Sequence, residues 1–191
     1  MVGLFGGSFD PIHHGHLLVG LAAVEALGLA SLRFVPARVQ PFKVGRHGAT
    51  PEQRAAMVAL AIADEPRFAL ERLELDRPGP SYTVDTLRAL KAREPNAEFV
   101  LLVGADAATE LESWREAEAL PGLARVVALT RGGAPAPASP LVWRSLAVPA
   151  VEISATEVRA RVRAGTTIRW RVPDSVARYI AAERLYLDQE R

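Results

Sequence analysis

Apolar and polar residues follow two rhythms along this chain. Short apolar runs bounded by Gly or Pro predict strands, and apolar residues three and four apart predict helices. The first run, Val2 to Phe5, reads as a buried strand that breaks at Gly6-Gly7 and again at Asp10-Pro11. A nearly uninterrupted apolar helix is expected from Leu17 to Leu27, closed by Gly28. A second strand spans Leu32 to Val35 and stops at Pro36. The stretch from Ala37 to Ala49 is irregular and carries Arg38, Lys43, Arg46 and His47 without an acid. Thr50-Pro51-Glu52-Gln53 has the residues of a capping box with Pro at the first helical position, so a helix should run from there to about Asp64.

In the second half, Leu70, Arg72, Leu73 and Leu75 suggest a strand within 68–75. A helix is expected from Thr83 to Arg93, stopped by Pro95. Glu98 to Val103 is the clearest buried strand, and it ends in Gly104-Ala105-Asp106. Two short helices, Ala107 to Leu111 and Trp114 to Leu120, should precede a strand from Arg125 to Leu129. Gly132 to Pro140 is rich in Gly, Ala and Pro and predicts a surface loop. Leu146 to Ile153 leads into Ser154-Ala155-Thr156-Glu157, a second capping-box pattern, whose helix should end near Gly165. A last amphipathic helix starts at Pro173-Asp174.

Strands alternating with helices point to an α/β fold. The expectation is a single domain over 1–191: a Rossmann-like, doubly wound, mostly parallel sheet flanked by helices, with a helical C-terminal segment. Ligands in such sheets sit beyond the carboxyl ends of the strands. Four stretches fall there: Gly6 to His16, Arg38 to Lys43, Gly104 to Asp106, and Ser154 to Arg159.

Composition narrows the function classes. A net charge of +1 gives no global basic field, so no nucleic-acid polymer is expected as a partner. With no cysteine, disulfides, thiol catalysis and cysteine zinc sites are out, which fits a cytoplasmic protein. No apolar stretch has the length and charge pattern of a membrane span or signal segment. No feature specifies an oligomeric state.

The chemistry-bearing residues each have a plainer reading. Gly6-Gly7 after a strand is an ordinary turn, and it matches neither a Walker A loop nor a dinucleotide fingerprint. His13 and His16, three apart, could pair on a metal, but no third ligand stands at familiar spacing, and Pro11 and Gly15 make the segment irregular. They could also be satisfied structural histidines. Phosphate contact at a helix N-terminus, where backbone N–H groups and the dipole favour anions, is the preferred reading. Ser154 and Glu157 could simply cap a helix; Thr156 and Arg159 beside them would make a second anion site. Lys43 could be a solvated charge, Asp106 a helix cap, and Trp114 and Tyr82 packing residues.

Taken together these residues resemble a known family. Gly6 to His16 resembles the G-x-F-D-P-x-H-x-G-H signature of the H-x-G-H nucleotidyltransferase superfamily, and Ile153 to Arg159 its I-S-S-T-x-I-R signature. Within it the chain is similar to the bacterial nicotinate-nucleotide adenylyltransferases, through Pro80 to Leu87, Leu102 to Asp106 with Trp114, and Val172 to Ile180. Two positions depart from the pattern: Ala155 stands for the middle Ser, and Gln40-Pro41-Phe42-Lys43 for Pro-Pro-His-Lys.

The resemblance implies that ATP and nicotinate mononucleotide form nicotinate adenine dinucleotide and pyrophosphate, with Mg²⁺ arriving on ATP. It implies a catalytic set of His13, His16, Lys43 and Arg159, with His16 at the transferring phosphate. ATP would meet Gly6, Gly7, Phe9, His13, His16, Gly104, Asp106, Ser154, Thr156 and Arg159. The acceptor would meet Gly7, Ser8, Lys43, Tyr82, Thr83, Val84 and Trp114. No residue is assigned to a protein-held metal. The competing readings are a phosphopantetheine adenylyltransferase or cytidylyltransferase relative, a nucleotide-binding sensor without turnover, and a metal-binding module.

Overall fold

The computed structural model describes residues 1–39, 48–131 and 139–187. Six strands, β1 (Val2–Gly7), β2 (Ser31–Pro36), β3 (Phe68–Leu70), β4 (Phe99–Gly104), β5 (Arg125–Arg131) and β6 (Arg144–Val148), form one sheet in the order β3-β2-β1-β4-β5-β6. All of the pairings are parallel. The helices are α1 (His14–Leu27), α2 (Pro51–Ile62), α3 (Leu73–Asp76), α4 (Thr83–Arg93), α5 (Ala105–Thr109), α6 (Leu120–Leu123), α7 (Ala155–Arg163) and α8 (Asp174–Ala182). The doubly wound α/β expectation is met, and the sheet is more regular than "mostly parallel".

The strand order explains where a ligand can sit. From β1 the chain winds through α1 and α2 out to β3. It then crosses back to β4 on the other side of β1 and winds outward to β6. The carboxyl ends of β1 and β4 therefore stand side by side while their following connections diverge, which leaves a crevice. Gly6-Gly7 ends β1, and Gly104 ends β4.

Two apolar layers hold this arrangement. Val100 and Leu102 of β4, with Val127 and Leu129 of β5, face Val24 of α1, Met57 and Val58 of α2, Val158 of α7, and Val176 and Ile180 of α8. Phe99, Leu101 and Val103 face the other way, against Val84, Leu87 and Leu90 of α4 and Leu120 of α6. A strand covered on both faces needs the continuous apolar run seen in β4. Thr50 caps α2 as expected: its Oγ1 accepts from the Gln53 N–H at 3.3 Å, and the Gln53 side chain accepts from the Thr50 N–H at 2.9 Å.

Some expected boundaries move. The strand expected within 68–75 stops at Leu70, and Leu73 and Leu75 lie in α3. The Glu71 carboxylate accepts from the Leu73 N–H, and Arg72 pairs with Asp76 one turn on, so local contacts win over a short alternation. The helix expected over Trp114 to Leu120 is broken. Trp114 is extended (φ −70°, ψ 152°) and Glu116 has φ 50°, so within that span α6 is preceded by a 3₁₀ turn at Ala117–Ala119. The first short helix begins earlier than expected, at Ala105, and α1 begins at His14 rather than Leu17. Residues 132–138 of the expected loop lie outside the described residues.

Phe34 is fully buried and packs against Phe5, Phe9 and Phe68. Phe34→Ala should lower the unfolding free energy by about 3–5 kcal/mol. Leu18→Ala, on an exposed side chain, should cost less than about 1 kcal/mol. Urea titration of both variants checks the difference.

Candidate active site

The site is built outward from the turn after β1. Phe9 takes a left-handed conformation, φ 48°, and buries its ring. That ring meets Phe5 at 5.9 Å and Phe34 at 5.6 Å, and it supports the His16 ring edge-on at 5.1 Å. The Phe9 side chain is thus a prop, and only its backbone is left to meet a nucleotide. Asp10 follows, joined to Pro11 by a cis peptide bond. Its buried carboxylate accepts from the Gly48 N–H at 2.8 Å, the Ala49 N–H at 3.2 Å and the Tyr186 hydroxyl at 2.8 Å.

His13 is extended (φ −146°, ψ 169°) and stands at the N-cap position of α1. Its N–H donates to His16 Nδ1 at 3.2 Å. An accepting Nδ1 places the His16 proton on Nε2. The two rings stack, with centroids 3.7 Å apart. A Cβ on Gly15 would lie 3.0 Å from His13 Nδ1, a tight contact that the His13 ring would have to relieve. His13 is buried, and its Nδ1 has no hydrogen-bond partner among the described residues. Burial, then the charges of Arg131 and His14, push the His13 imidazole down to about 4.

The second signature arrives from the far end of the chain. Ser154 Oγ accepts from the Glu157 N–H at 3.1 Å and caps α7. The expected reciprocal half of that box is missing, because the Glu157 carboxylate pairs with Arg171 at 3.0 Å. Arg159 donates to the Asp10 carbonyl at 2.7 Å and to Thr156 Oγ1 at 3.2 Å. The two signature segments, 149 residues apart at this bond, are joined directly.

The result is a cleft of about 740 Å³ over the carboxyl ends of β1 and β4. Gly6, Gly7, Ser8, Phe9, His13, His16, Gly104, Asp106, Ser154, Thr156 and Arg159 all line it. Arg131, at the end of β5, lines it too and was not singled out from sequence; its place after a strand was the available signal. Among the described residues no group of His, Asp or Glu side chains is placed to hold a metal ion.

Of the acceptor set, Gly7 and Ser8 line this cleft, and Tyr82, Thr83, Val84 and Trp114 lie apart from it. Tyr82 stands at the N-cap position of α4, Thr83 opens that helix, and the Val84 side chain is buried in the second apolar layer. Tyr82 and Trp114 pack against that layer, and Arg115 sits 4.8 Å over the Tyr82 ring. The segment is tied to the strand ends nonetheless. Ser81 Oγ accepts from the Arg38 N–H at 3.1 Å, and the Ser81 N–H donates to the Val39 carbonyl at 2.9 Å. Beneath it, burial pushes the Glu74 carboxyl up, and Thr86 Oγ1 donates to it at 2.8 Å. Lys43 lies outside the described residues, as do the departures at 40–42.

Two further residues escaped the sequence reading. Tyr186 bonds Asp10, and Arg54, almost fully buried, donates to the Ser8 carbonyl at 2.7 Å and the Arg38 carbonyl at 3.1 Å. Arg54 sits on the buried stripe of α2 with Met57 and Val58, and a charge on an apolar stripe was a signal in plain view.

Comparison with known proteins identifies the family. Residues 4–161 match the family model described as cytidylyltransferase-like. A Thermus thermophilus protein described as "Probable nicotinate-nucleotide adenylyltransferase" is 49% identical over 185 residues, covering 97% of this chain and 98% of its own. The chain belongs to the nicotinate-nucleotide adenylyltransferase family. A member from Corynebacterium kroppenstedtii is 42% identical over 192 residues, covering 97% of this chain and 90% of its own. The fold is shared with the Plasmodium falciparum nicotinic acid mononucleotide adenylyltransferase complexed with NaAD, at TM-score 0.79 and 23% identity, over 97% of this chain and 96% of that one.

The His13 environment has a measurable consequence. Its folded-state value lies below the ordinary 6.5, so the stability it contributes is complete above 6.5 and is lost as pH falls toward 4. Without ligand, the wild type should lose about 2–3 kcal/mol more than His13→Asn between pH 7 and pH 4. Parallel urea unfolding at the two pH values measures this.

Proposed function

We propose that this protein transfers the adenylyl group of ATP to nicotinate mononucleotide, giving nicotinate adenine dinucleotide and pyrophosphate in NAD biosynthesis. The observation that carries the reading is convergence. The glycine turn after β1, the imidazoles at the start of α1 and the start of α7 all face one cleft at the β1/β4 crevice. These are donors for several phosphate groups at once.

The acceptor's phosphate is anionic at neutral pH and is itself the nucleophile, so no general base is needed. An acceptor phosphate oxygen attacks the α-phosphorus in line as the bond to pyrophosphate breaks, and the electron pair leaves with pyrophosphate. The enzyme's work is positioning and stabilisation of charge. His16 Nε2–H donates to the transferring phosphate. Neutral His13 adds a hydrogen bond rather than a charge. Arg159, Thr156 and the capped start of α7 hold the triphosphate, and Lys43 supplies it a further cation. Backbone groups of Gly6, Gly7 and Ser8 meet phosphate, and Gly104 and Asp106 meet the adenosine.

Mg²⁺ would enter on the triphosphate. Beside amides, imidazoles and guanidinium groups the cleft is lined by two acids, Asp10, whose carboxylate accepts from Gly48, Ala49 and Tyr186, and Asp106; this lining suits an ion held chiefly by phosphate oxygens and water. When bound it neutralises phosphate charge. The start of α4 selects the nicotinate: its free N–H groups and the Thr83 hydroxyl favour a carboxylate, which only accepts, over an amide, which also donates. Trp114 offers the pyridine ring a stacking surface. A cytoplasmic setting suits the cysteine-free chain, and no helix of the described residues is long and apolar enough to cross a membrane.

The test is pyrophosphate release from ATP and Mg²⁺ with nicotinate mononucleotide, nicotinamide mononucleotide and phosphopantetheine in turn. Release is expected chiefly with the first. Release chiefly with phosphopantetheine would move the protein to a sibling activity, and ATP binding without release from any would make it a sensor. His16→Ala should lower kcat on the order of 100-fold, as losing an aimed transition-state donor does; a rise in KM alone contradicts the role. Thr83→Ala should erode the preference for acid over amide more than it lowers turnover, and an unchanged ratio of kcat/KM for the two mononucleotides refutes that assignment.

A further inference from the structure

Arg54 is the largest fully buried side chain of the described residues, at 1% exposure. It occupies a position on α2 where its neighbours on the same stripe are Met57 and Val58. An apolar residue of similar volume is the cheaper choice for stability at such a place. The guanidinium is instead aimed at two backbone carbonyls, Ser8 at 2.7 Å and Arg38 at 3.1 Å. Both belong to segments that follow strands at the ligand-binding edge of the sheet.

The first bond fixes a strained peptide. Among the described residues the only cis peptide is Asp10–Pro11, so the Ser8–Phe9 peptide is trans. In a trans peptide the C=O and N–H point in opposite directions. With the Ser8 carbonyl held on the buried side by Arg54, the Phe9 N–H points the opposite way, and Phe9 is one of the residues that line the cleft. This N–H has no protein partner among the described residues. Phe9 also has φ 48°, a conformation that a non-glycine residue keeps only when its surroundings hold it.

The second bond reaches the acceptor side. The Arg38 N–H donates to Ser81 Oγ, and Ser81 immediately precedes Tyr82 and the start of α4. One fork thus spans the phosphate turn and the segment that leads to the acceptor residues. A fork with several fixed donors can do this; an ammonium cannot reach both carbonyls in the same geometry.

We infer that Arg54 is a positioning residue for adenylyl transfer: it holds the Ser8–Phe9 peptide so that the Phe9 N–H faces the transferring phosphate, and it locks that turn to the Arg38–Ser81 segment. The inference rests on the activity proposed above.

The experiment compares Arg54→Lys, Arg54→Met and a control, Arg33→Met, in the full chain. Arg33 forks onto Glu94 at 2.6 and 2.7 Å, away from the cleft. For each protein, Tm, kcat, and KM for ATP and nicotinate mononucleotide are measured. Arg33→Met should melt lower with kcat unchanged. Arg54→Lys should lose about 10-fold in kcat and Arg54→Met on the order of 100-fold, with both KM values within about 3-fold of wild type, the pattern of an interaction made only in the transition state. Arg54 variants that merely melt lower, that raise KM at constant kcat, or that both fail to fold place Arg54 in stability alone and overturn the inference. A wild type that releases no pyrophosphate refutes the proposed activity instead, so the two failures are distinguishable.

Discussion

A buried carboxylate, that of Asp10, is the constraint on which the site depends. It is 3% exposed and accepts hydrogen bonds from the Gly48 and Ala49 amides and from the Tyr186 hydroxyl. A buried charge left without such partners would be costly, so those segments are held where the carboxylate needs them. Tyr186 follows α8 and Gly48 precedes α2, so one side chain gathers the two ends of a long stretch of chain. Gly48 also lies flat on the Tyr186 ring, where a Cβ would come within 2.8 Å of it. The Asp10 carbonyl in turn receives Arg159 from α7. The turn that carries His13 and His16 is therefore braced from three sides.

That bracing explains how a protein with a net charge of only +1 can handle polyphosphate. The cleft does not rely on a strong field. In the proposed reaction it relies on donors whose directions are fixed before the ligand arrives: His16 Nε2–H, the backbone of the glycine turn, and the capped start of α7. Donors held in place cost no reorganisation when charge shifts from the attacking to the leaving oxygen. His13 fits the same scheme. Burial keeps it neutral at physiological pH, and its ring packs flat on that of His16, which it helps to orient.

Much of this was legible in the sequence, for physical reasons. β4 declared itself because a strand buried on both faces must be apolar throughout, and α4 because its period and Pro95 bound it closely. The two signature segments were visible as residues of special chemistry at strand ends. The break at Trp114 to Leu120 was not visible, since the left-handed Glu116 depends on tertiary contacts, among them Arg88 at 2.5 Å. The roles of Asp10, Arg54 and Tyr186 were hidden for a related reason. Each acts through a partner far along the chain, 176 residues away for Asp10 and Tyr186, and spacing reports only on neighbours. The separation of Tyr82, Thr83 and Trp114 from the described cleft was equally beyond a one-dimensional reading.

The central claim is that aimed donors act on a direct attack by the acceptor's phosphate, with no covalent enzyme intermediate. Stereochemistry at phosphorus tests it most directly. One diastereomer of ATP carrying sulfur on the α-phosphorus is turned over with nicotinate mononucleotide, and the configuration of the dinucleotide product is determined. A single in-line displacement predicts inversion. Retention would mean two displacements through an adenylylated side chain, and would contradict the account.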